Sequence, residues 1–318
     1  MDVKRHQPNL KEIQEAHDRI RPFIHRTPVL TNSSLDELSG AGLYFKCENF
    51  QKAGSFKIRG ATNTVLQLTQ DELDRGVATS SSGNHGAALS MAVKNRGGKT
   101  KVVMPDNTPG IKVDNVERNG GEIVWCESEQ ASRDGVLNAL LDETGAVLVH
   151  PYNDERIVAG QGTSAKELLE DHPDLEMIVS PVSGGGLLGG TLCSAKEMNP
   201  GIKVYGAEPA EADDAYRSLQ SGKIESNDTI NTICDGLRAQ IGTVTFPIIK
   251  EKVDGILTVS EEEIIDAMRM IWERMKIIVE PSSSITLAVV LKNKDTFAGR
   301  KVGLILSGGN MDLDHLPW

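Results

Sequence analysis

An α/β fold with a mostly parallel, helix-wrapped sheet is predicted for this 318-residue chain by three features of its sequence. Short β-rich apolar runs recur along its length, longer helical stretches separate most of them, and glycine-rich turns carry the chain from strand into helix. In order, the strand candidates are Leu43 to Cys47, Val77 to Thr79, Lys101 to Met104, Glu122 to Trp125, Val147 to His150, Met177 to Pro181, Lys203 to Glu208, Ile256 to Val259 and Val302 to Leu306. The clearest helix runs from Ser260 to Lys276. Ser260 can cap it, Glu263 stands three residues on as in a capping box, and Ile264, Ala267, Met268 and Ile271 share one face. No repeat, low-complexity tract or linker marks a boundary, so composition alone divides the chain nowhere.

Composition narrows the function. With 39% hydrophobic and 25% charged residues the chain can bury one large core or two smaller ones. Its 34 basic and 45 acidic residues leave a net charge of −11, and no basic run offsets it, which argues against a nucleic-acid partner. The start, MDVKRHQPNL, lacks the apolar core of a secretory signal, and no stretch approaches the roughly 20 apolar residues of a membrane span. A cytoplasmic protein with no membrane partner is the expectation. Cys47, Cys126, Cys193 and Cys234 are too scattered for a zinc site or a disulfide scaffold and read as ordinary buried thiols.

Two stretches carry chemistry. VSPVSGGGLLGG, from Val179, passes from an apolar strand through Ser183, Gly184, Gly185 and Gly186 into a helix opening at Leu187. Consecutive glycines let backbone N–H groups approach an anion, and the helix N-terminus adds favourable potential. A tight strand-to-helix turn has the same look, but the spacing fits neither a Walker loop nor a dinucleotide fingerprint, so a smaller phosphate ligand is favoured. KCENFQKAGSFKIRGA sets Lys57 after Gly54, Ser55 and Phe56, where an amine can be desolvated, lose basicity and form a Schiff base. A lone lysine is ordinarily a solvated surface charge; the support here is the rest of the constellation. SSSGNHG, Ser80 to Gly86, offers hydroxyl, amide and backbone donors suited to a carboxylate, and LSGGN, Leu306 to Asn310, puts a hydroxyl after the last strand.

GSFKIRGA, SSGNHG, SGGGLL, AEPAEADD, ERMKIIVEPSS and LSGGN, in that order, resemble the serine racemase and threonine dehydratase family of fold-type II pyridoxal-phosphate enzymes. The resemblance spans nearly the whole chain and sits nearer the serine racemases and 3-hydroxyaspartate dehydratases than the biosynthetic threonine dehydratases. The chain ends at Trp318, soon after LSGGN, without the C-terminal regulatory domain of the latter. The resemblance implies a homodimer of two-domain subunits, with residues 1–75 and 147–318 forming a large cofactor-binding domain and 76–146 a small mobile substrate domain.

The resemblance also implies roles. Lys57 would hold pyridoxal 5'-phosphate as an imine and move the Cα proton, Ser183, Gly184, Gly185, Gly186 and Leu187 would hold the phosphate, and Phe56 would pack against the ring. Asn84 would bond the pyridoxal oxygen, and Gly236 and Glu280 would lie close to the ring, although Glu280 can equally stabilise a helix start at Pro281. Ser307 would meet the pyridine nitrogen, leaving it largely unprotonated and the ring a weaker electron sink. Ser81, Ser82, Asn84 and His85 would receive the small amino-acid substrate, with Ser82 as the opposite-face acid/base; His85 alone more often reads as structural. Arg133, in SRDG, would hold a substrate carboxylate unless it is a surface charge. Glu208, Ala212 and Asp214 match a Mg²⁺ or Ca²⁺ site of hard oxygen ligands, against the alternative of an acidic solvated turn.

Departures from the animal serine racemases matter. Ser80 replaces a histidine, Ala87 replaces a glutamine near their nucleotide site, and Tyr152 and Asn153 stand in a different loop, so ATP activation is not expected. HPYNDERIVAGQGT and GGNMDLDHLPW look more like bacterial and plant relatives, including hydroxyaspartate dehydratases. The function expected is dehydration and deamination of a small β-hydroxy amino acid, 3-hydroxyaspartate before serine, with companion racemisation. A dedicated serine or aspartate racemase is the alternative. A non-catalytic binding protein of the same fold is the third reading, and Lys57, Ser82 and Ser307 together argue against it.

Overall fold

The computed structural model describes residues 6–227 and 230–318; the first five positions of the N-terminal stretch read for a secretory signal lie outside them. Two sheets organise the chain. The larger contains β1 (Val29–Leu30), β2 (Gly42–Cys47), β7 (Met177–Pro181), β8 (Lys203–Pro209), β9 (Gly255–Val259) and β10 (Lys301–Leu306), in the order β1-β2-β10-β7-β8-β9. The smaller contains β3 (Val77–Ser80), β4 (Thr100–Pro105), β5 (Gly121–Cys126) and β6 (Val147–Leu148), in the order β5-β4-β3-β6. Every pairing is parallel except β1 with β2. Parallel strands need crossovers, and the helices that supply them bury both sheet faces, which is why β7 is apolar apart from Ser180 and buried throughout.

Local chemistry explains the boundaries. The helix Glu261–Met275 begins where predicted: Ser260 Oγ accepts the Glu263 N–H at 3.2 Å and Glu263 Oε2 accepts the Ser260 N–H at 2.8 Å. It buries Ile264, Ala267, Met268 and Ile271. β6 stops at Leu148 instead of reaching His150. The Val149 N–H still bonds to Ala78, but Pro151 has no N–H to donate and the chain turns away. β1 has only two residues, too few for an alternating pattern to register. No helix among the described residues is long and apolar enough to cross a membrane, and all four cysteines are free and buried.

A buried ion cluster ties the layers together. Arg59, on the helix Lys57–Val65, donates to Glu48 through Nε (2.7 Å) and Nη2 (2.8 Å), and to Glu167 through Nη1 (2.9 Å) and Nη2 (2.7 Å). Lys46 Nζ, on β2, bonds Glu167 at 2.7 Å. All four side chains are at most 1% exposed. Arg59→Met would leave two buried carboxylates short of a cation, a loss of about 3–5 kcal/mol. Urea denaturation is expected to show that loss; a change near 1 kcal/mol, of the size of a lost hydrogen bond, would mean the cluster is dispensable.

Candidate active site

Lys57 opens its helix at a seam between distant segments. The preceding Phe56 N–H donates to the Ser307 carbonyl at 3.0 Å, Ser55 bridges Gly308, and the Gly309 N–H donates to Gly54 at 2.9 Å. The turn before Lys57 is thereby stitched to the turn after β10. Lys57 Nζ lies 5.2 Å from the Phe56 ring centroid and donates to the Pro151 carbonyl at 3.0 Å. Burial lowers its pKa to about 8 against the opposing pull of Glu280. Such an amine gives up its proton near neutrality, as a nucleophile or base must.

The glycine loop adopts the build of an anion cradle. Gly185 sits at φ +87°, a backbone favourable only to glycine, and caps the helix Gly186–Met198, one residue earlier than the sequence suggested. A side chain at Gly184 would strike the Tyr152 ring at 2.4 Å. Thr245 Oγ1 and the Gly242 N–H both donate to the Gly184 carbonyl, at 2.6 and 3.2 Å, while Ser183 Oγ exchanges bonds of 3.0 Å with both backbone groups of Ala239. The loop's carbonyl and hydroxyl are thus committed to its scaffold. The first N–H groups of the helix, Leu187 included, have no acceptor within it and can meet a phosphate.

Asn84 opens the helix Asn84–Lys94, and its amide donates to Glu280 at 3.0 and 3.1 Å and accepts from Asn310 at 2.9 Å. Glu280 caps the helix Pro281–Lys292 without a side-chain capping bond. Burial raises its carboxyl, and the Lys112 ammonium pulls the other way. Lys112 is paired with Asp235, which adjoins Gly236; burial opposes its charge, yet Asp235 and Glu280 hold its pKa above the ordinary lysine value. Ser307 Oγ lies 3.1 Å from Ser283 Oγ and 3.3 Å from the Ser282 carbonyl, with no carboxylate among the described residues bonded to it.

The SSSGNHG loop divides its labour. Ser81 is buried, its Oγ accepting the N–H groups of Gly83 (3.2 Å) and Gly86 (3.0 Å), whereas Ser82 is exposed. His85 is buried, and its Nε2 donates to the Val149 carbonyl at 3.2 Å. Burial first, then Lys57, lowers its pKa to about 3, so it is neutral. Arg133, on the helix Gln130–Thr144, is half-buried, and its Nε has no hydrogen-bond partner among the described residues.

Glu208, at the end of β8, and Asp214, opening the helix Asp214–Ser221, are both buried; Ala212 lies in the turn between them. The solvated-turn reading fits Glu211, which is exposed, but not these two. Glu208 accepts the N–H groups of Ala215 (2.9 Å) and Tyr216 (2.7 Å), and Asp214 those of Ile241 and the Asn227 side chain, both at 2.8 Å. Burial and then the Asp214 charge push the Glu208 carboxyl well up. No group of three or more His, Cys, Asp or Glu side chains suited to a metal occurs among the described residues.

Sequence reasoning missed Lys112, Asp235 and His150. Lys112 and Asp235 are far apart in the chain and no local pattern joins them. His150 stood in the HPYND stretch, whose proline and polar residues were the available signal.

Comparison with known proteins follows this geometry. Residues 20–308 match the family model described as pyridoxal-phosphate dependent enzyme. The chain is 50% identical over 311 residues to a serine racemase of Dictyostelium discoideum, covering 96% of each chain. It is 48% identical over 311 residues to a beta-hydroxyaspartate dehydratase of Paracoccus denitrificans (strain Pd 1222), covering 98% of this chain and 99% of that one. The solved structure of maize serine racemase superposes with a TM-score of 0.95 at 44% identity, covering 97% of this chain and 95% of that one. If the glycine loop holds the cofactor phosphate, Gly185→Ala is expected to weaken pyridoxal-phosphate binding at least about tenfold, given the strain of a positive φ and a Cβ placed 2.7 Å from Thr245 Oγ1. Absorbance titration of the apoprotein measures this, and unchanged affinity would take the phosphate elsewhere.

Proposed function

This chain belongs to the family of pyridoxal-phosphate dependent enzymes, and we propose that it removes water and then ammonia from a small β-hydroxy amino acid, 3-hydroxyaspartate before serine, and racemises Cα alongside. The observation carrying this reading is the Lys57 amine, half-buried, with its pKa lowered to about 8 by desolvation, at the seam of the GSFK, SGNHG and LSGGN segments. Bound there, pyridoxal phosphate supplies an electron-accepting ring that lowers the cost of removing the Cα proton. The residues fit it. Ser183 to Leu187 would hold the phosphate by backbone donors, Phe56 would flank the ring, and Asn84, fixed by Glu280 and Asn310, would hold the pyridoxal oxygen. Gly236 and Glu280 would border the ring. Ser307, with only hydroxyl and carbonyl neighbours, would meet its nitrogen without an anion to keep a proton there.

Lys57 would take the Cα proton, the β-hydroxyl would leave as water, and the released enamine would hydrolyse to keto acid and ammonia. Ser81, Ser82, Asn84 and His85 would frame the substrate carboxylate, and residues 76–146, which supply most of the smaller sheet, would form the mobile substrate domain. Arg133, with a spare donor, suits the second carboxylate of a hydroxyaspartate. The working unit in this reading is a cytoplasmic homodimer. A dedicated racemase is favoured by one observation: Ser82 is exposed, with no hydrogen bond from its side chain among the described residues, so its hydroxyl is free to exchange a proton.

A divalent cation belongs to the same proposal. Glu208 and Asp214 repel one another in a buried setting, and Mg²⁺ or Ca²⁺ held with the Ala212 carbonyl would neutralise both.

Lys57→Ala is expected to abolish elimination and racemisation together, while Ser82→Ala removes racemisation and spares elimination from the enantiomer that Lys57 deprotonates. Chiral chromatography beside a keto-acid assay separates the two; joint loss in Ser82→Ala with intact cofactor binding would assign Ser82 to substrate holding. The metal site yields a second test. The folded-state pKa values of Glu208 and Asp214 lie above their unfolded values, so the metal-free folded chain binds more protons than the unfolded one. Their contribution to stability should therefore be lost as pH rises above the ordinary carboxylate range, and saturating Mg²⁺ or Ca²⁺ should flatten that slope. Melting temperatures that ignore both ions, in the native chain as in Glu208→Ala, would dismiss the site.

A further inference from the structure

His150 is fixed on every side but one. Its Nδ1 accepts the backbone N–H groups of Asn153 (3.0 Å) and Tyr152 (3.3 Å). A nitrogen that accepts cannot carry the proton, so the neutral ring is protonated at Nε2. The peptide before it is held by His85 Nε2 on the Val149 carbonyl. The Tyr152 ring meets the imidazole edge-on, with centroids 4.6 Å apart. Nε2–H has no acceptor among the described residues, although the side chain is only half-buried and close enough to Lys57 to feel its charge.

The ring is also barred from becoming a cation. Protonating Nδ1 would turn it into a donor facing two N–H donors and break both bonds. The surroundings agree: burial and then Lys57 lower its pKa to about 4, against Asp154 and Asp134, and neighbouring His85 is itself neutral. A permanently neutral donor cannot serve as a general acid by giving up a cationic proton, nor as a counter-charge for a carboxylate. With the substrate carboxylates assigned to Ser81, Ser82, Asn84, His85 and Arg133, the oxygen left for its N–H is the β-hydroxyl.

We propose that His150 Nε2–H donates a hydrogen bond to the β-hydroxyl oxygen of the substrate, making His150 the residue that selects β-hydroxy amino acids. The inference rests on the reading that such amino acids are substrates. The proton stays on Nε2 throughout; His150 orients the C–O bond that breaks.

The test compares native enzyme with His150→Phe and His150→Gln on serine, 3-hydroxyaspartate, β-chloroalanine and aspartate. His150→Phe is expected to lower kcat/KM for serine and 3-hydroxyaspartate by the same factor, about 10- to 100-fold for one lost hydrogen bond and its unpaired partner. Elimination from β-chloroalanine and racemisation of aspartate, which lack the hydroxyl, should change little, and His150→Gln, which keeps an N–H donor, should recover part of the loss. A uniform loss over all four substrates would make His150 a packing residue and overturn the proposal. So would a loss confined to the two dicarboxylic substrates. If the native enzyme turns over neither hydroxy amino acid, the underlying reading fails and the inference with it, before any variant is considered. Should His150→Phe not fold, ¹⁵N-histidine NMR of the native holoenzyme decides: an Nε2–H tautomer with no titration between about pH 5 and about pH 8 is expected, and an Nδ1–H tautomer or a midpoint near the ordinary histidine value would overturn it.

Discussion

The position of Lys57 depends on Arg59. Two residues along the same helical turn, its guanidinium reaches Glu48, in the turn after β2, and Glu167, on the helix Glu155–Asp171. Lys46 and Arg59 supply two positive charges, Glu48 and Glu167 two negative ones, and Thr27 and Thr163 add hydroxyl contacts to Glu48 (2.6 Å) and Arg59 (3.1 Å). Burial works to raise the Glu167 carboxyl, yet the cations hold it well below its ordinary range. A buried cluster of this kind is poor evidence of net stability, since desolvation offsets most of its attraction. Its geometry, however, is exacting. Three segments that share no local contact in sequence must meet in one arrangement for every donor to be satisfied.

From that anchor the walls of the site follow. The helix Glu155–Asp171 begins just after His150–Asn153, so the cluster that fixes Glu167 also fixes the far end of the segment lying over Lys57. Tyr152 in that segment fills the space beside Gly184 and Gly186, and a larger residue at either position would push it away. Asn153 donates to Thr243 and accepts from Val244. The glycine loop is therefore shaped as much by its neighbour across the sheet as by its own backbone freedom.

How much of this the sequence held depends on whether the determinant is local. The capping box of Ser260 and Glu263 uses residues three apart and was readable; so was the strand-to-helix passage through Ser183 to Gly186, because the glycines mark it. β1 escaped because two residues make no pattern, and β6 was overextended because the apolar run Val147 to Val149 outlasts its pairing. Arg59, Lys112 and Asp235 were legible only as charges: the partners of Arg59 lie 11 and 108 positions away, and Lys112 and Asp235 are 123 positions apart. His150 was invisible as a donor, since which nitrogen carries its proton is decided by two backbone N–H groups that exist only after the turn forms. Of the residues given roles by resemblance, Phe56 lies beside Lys57 and bonds the Ser307 carbonyl, and Asn84 bonds Glu280.

The charge pattern around Lys57 bears on the kind of chemistry the site favours. His85 and His150 are both neutral, the first by burial and the second by its bonding as well. Burial opposes the charge on Glu280, and Asn84 and Lys112 satisfy it where it exists. At Ser307 the hydroxyl has acceptors in Ser283 and the Ser282 carbonyl, and Ser283 is itself committed to the Gly308 carbonyl at 2.6 Å. Among the described residues no carboxylate bonds to Ser307. On the proposed reading, a ring nitrogen meeting Ser307 would have no anion to keep a proton on it, and a carbanion formed beside such a ring would be weakly stabilised and quickly discharged. Two discharges would be at hand, return of a proton to Cα or departure of a β-substituent. Racemisation and dehydration would then be two outcomes of one constraint, with the substrate's own leaving group deciding between them.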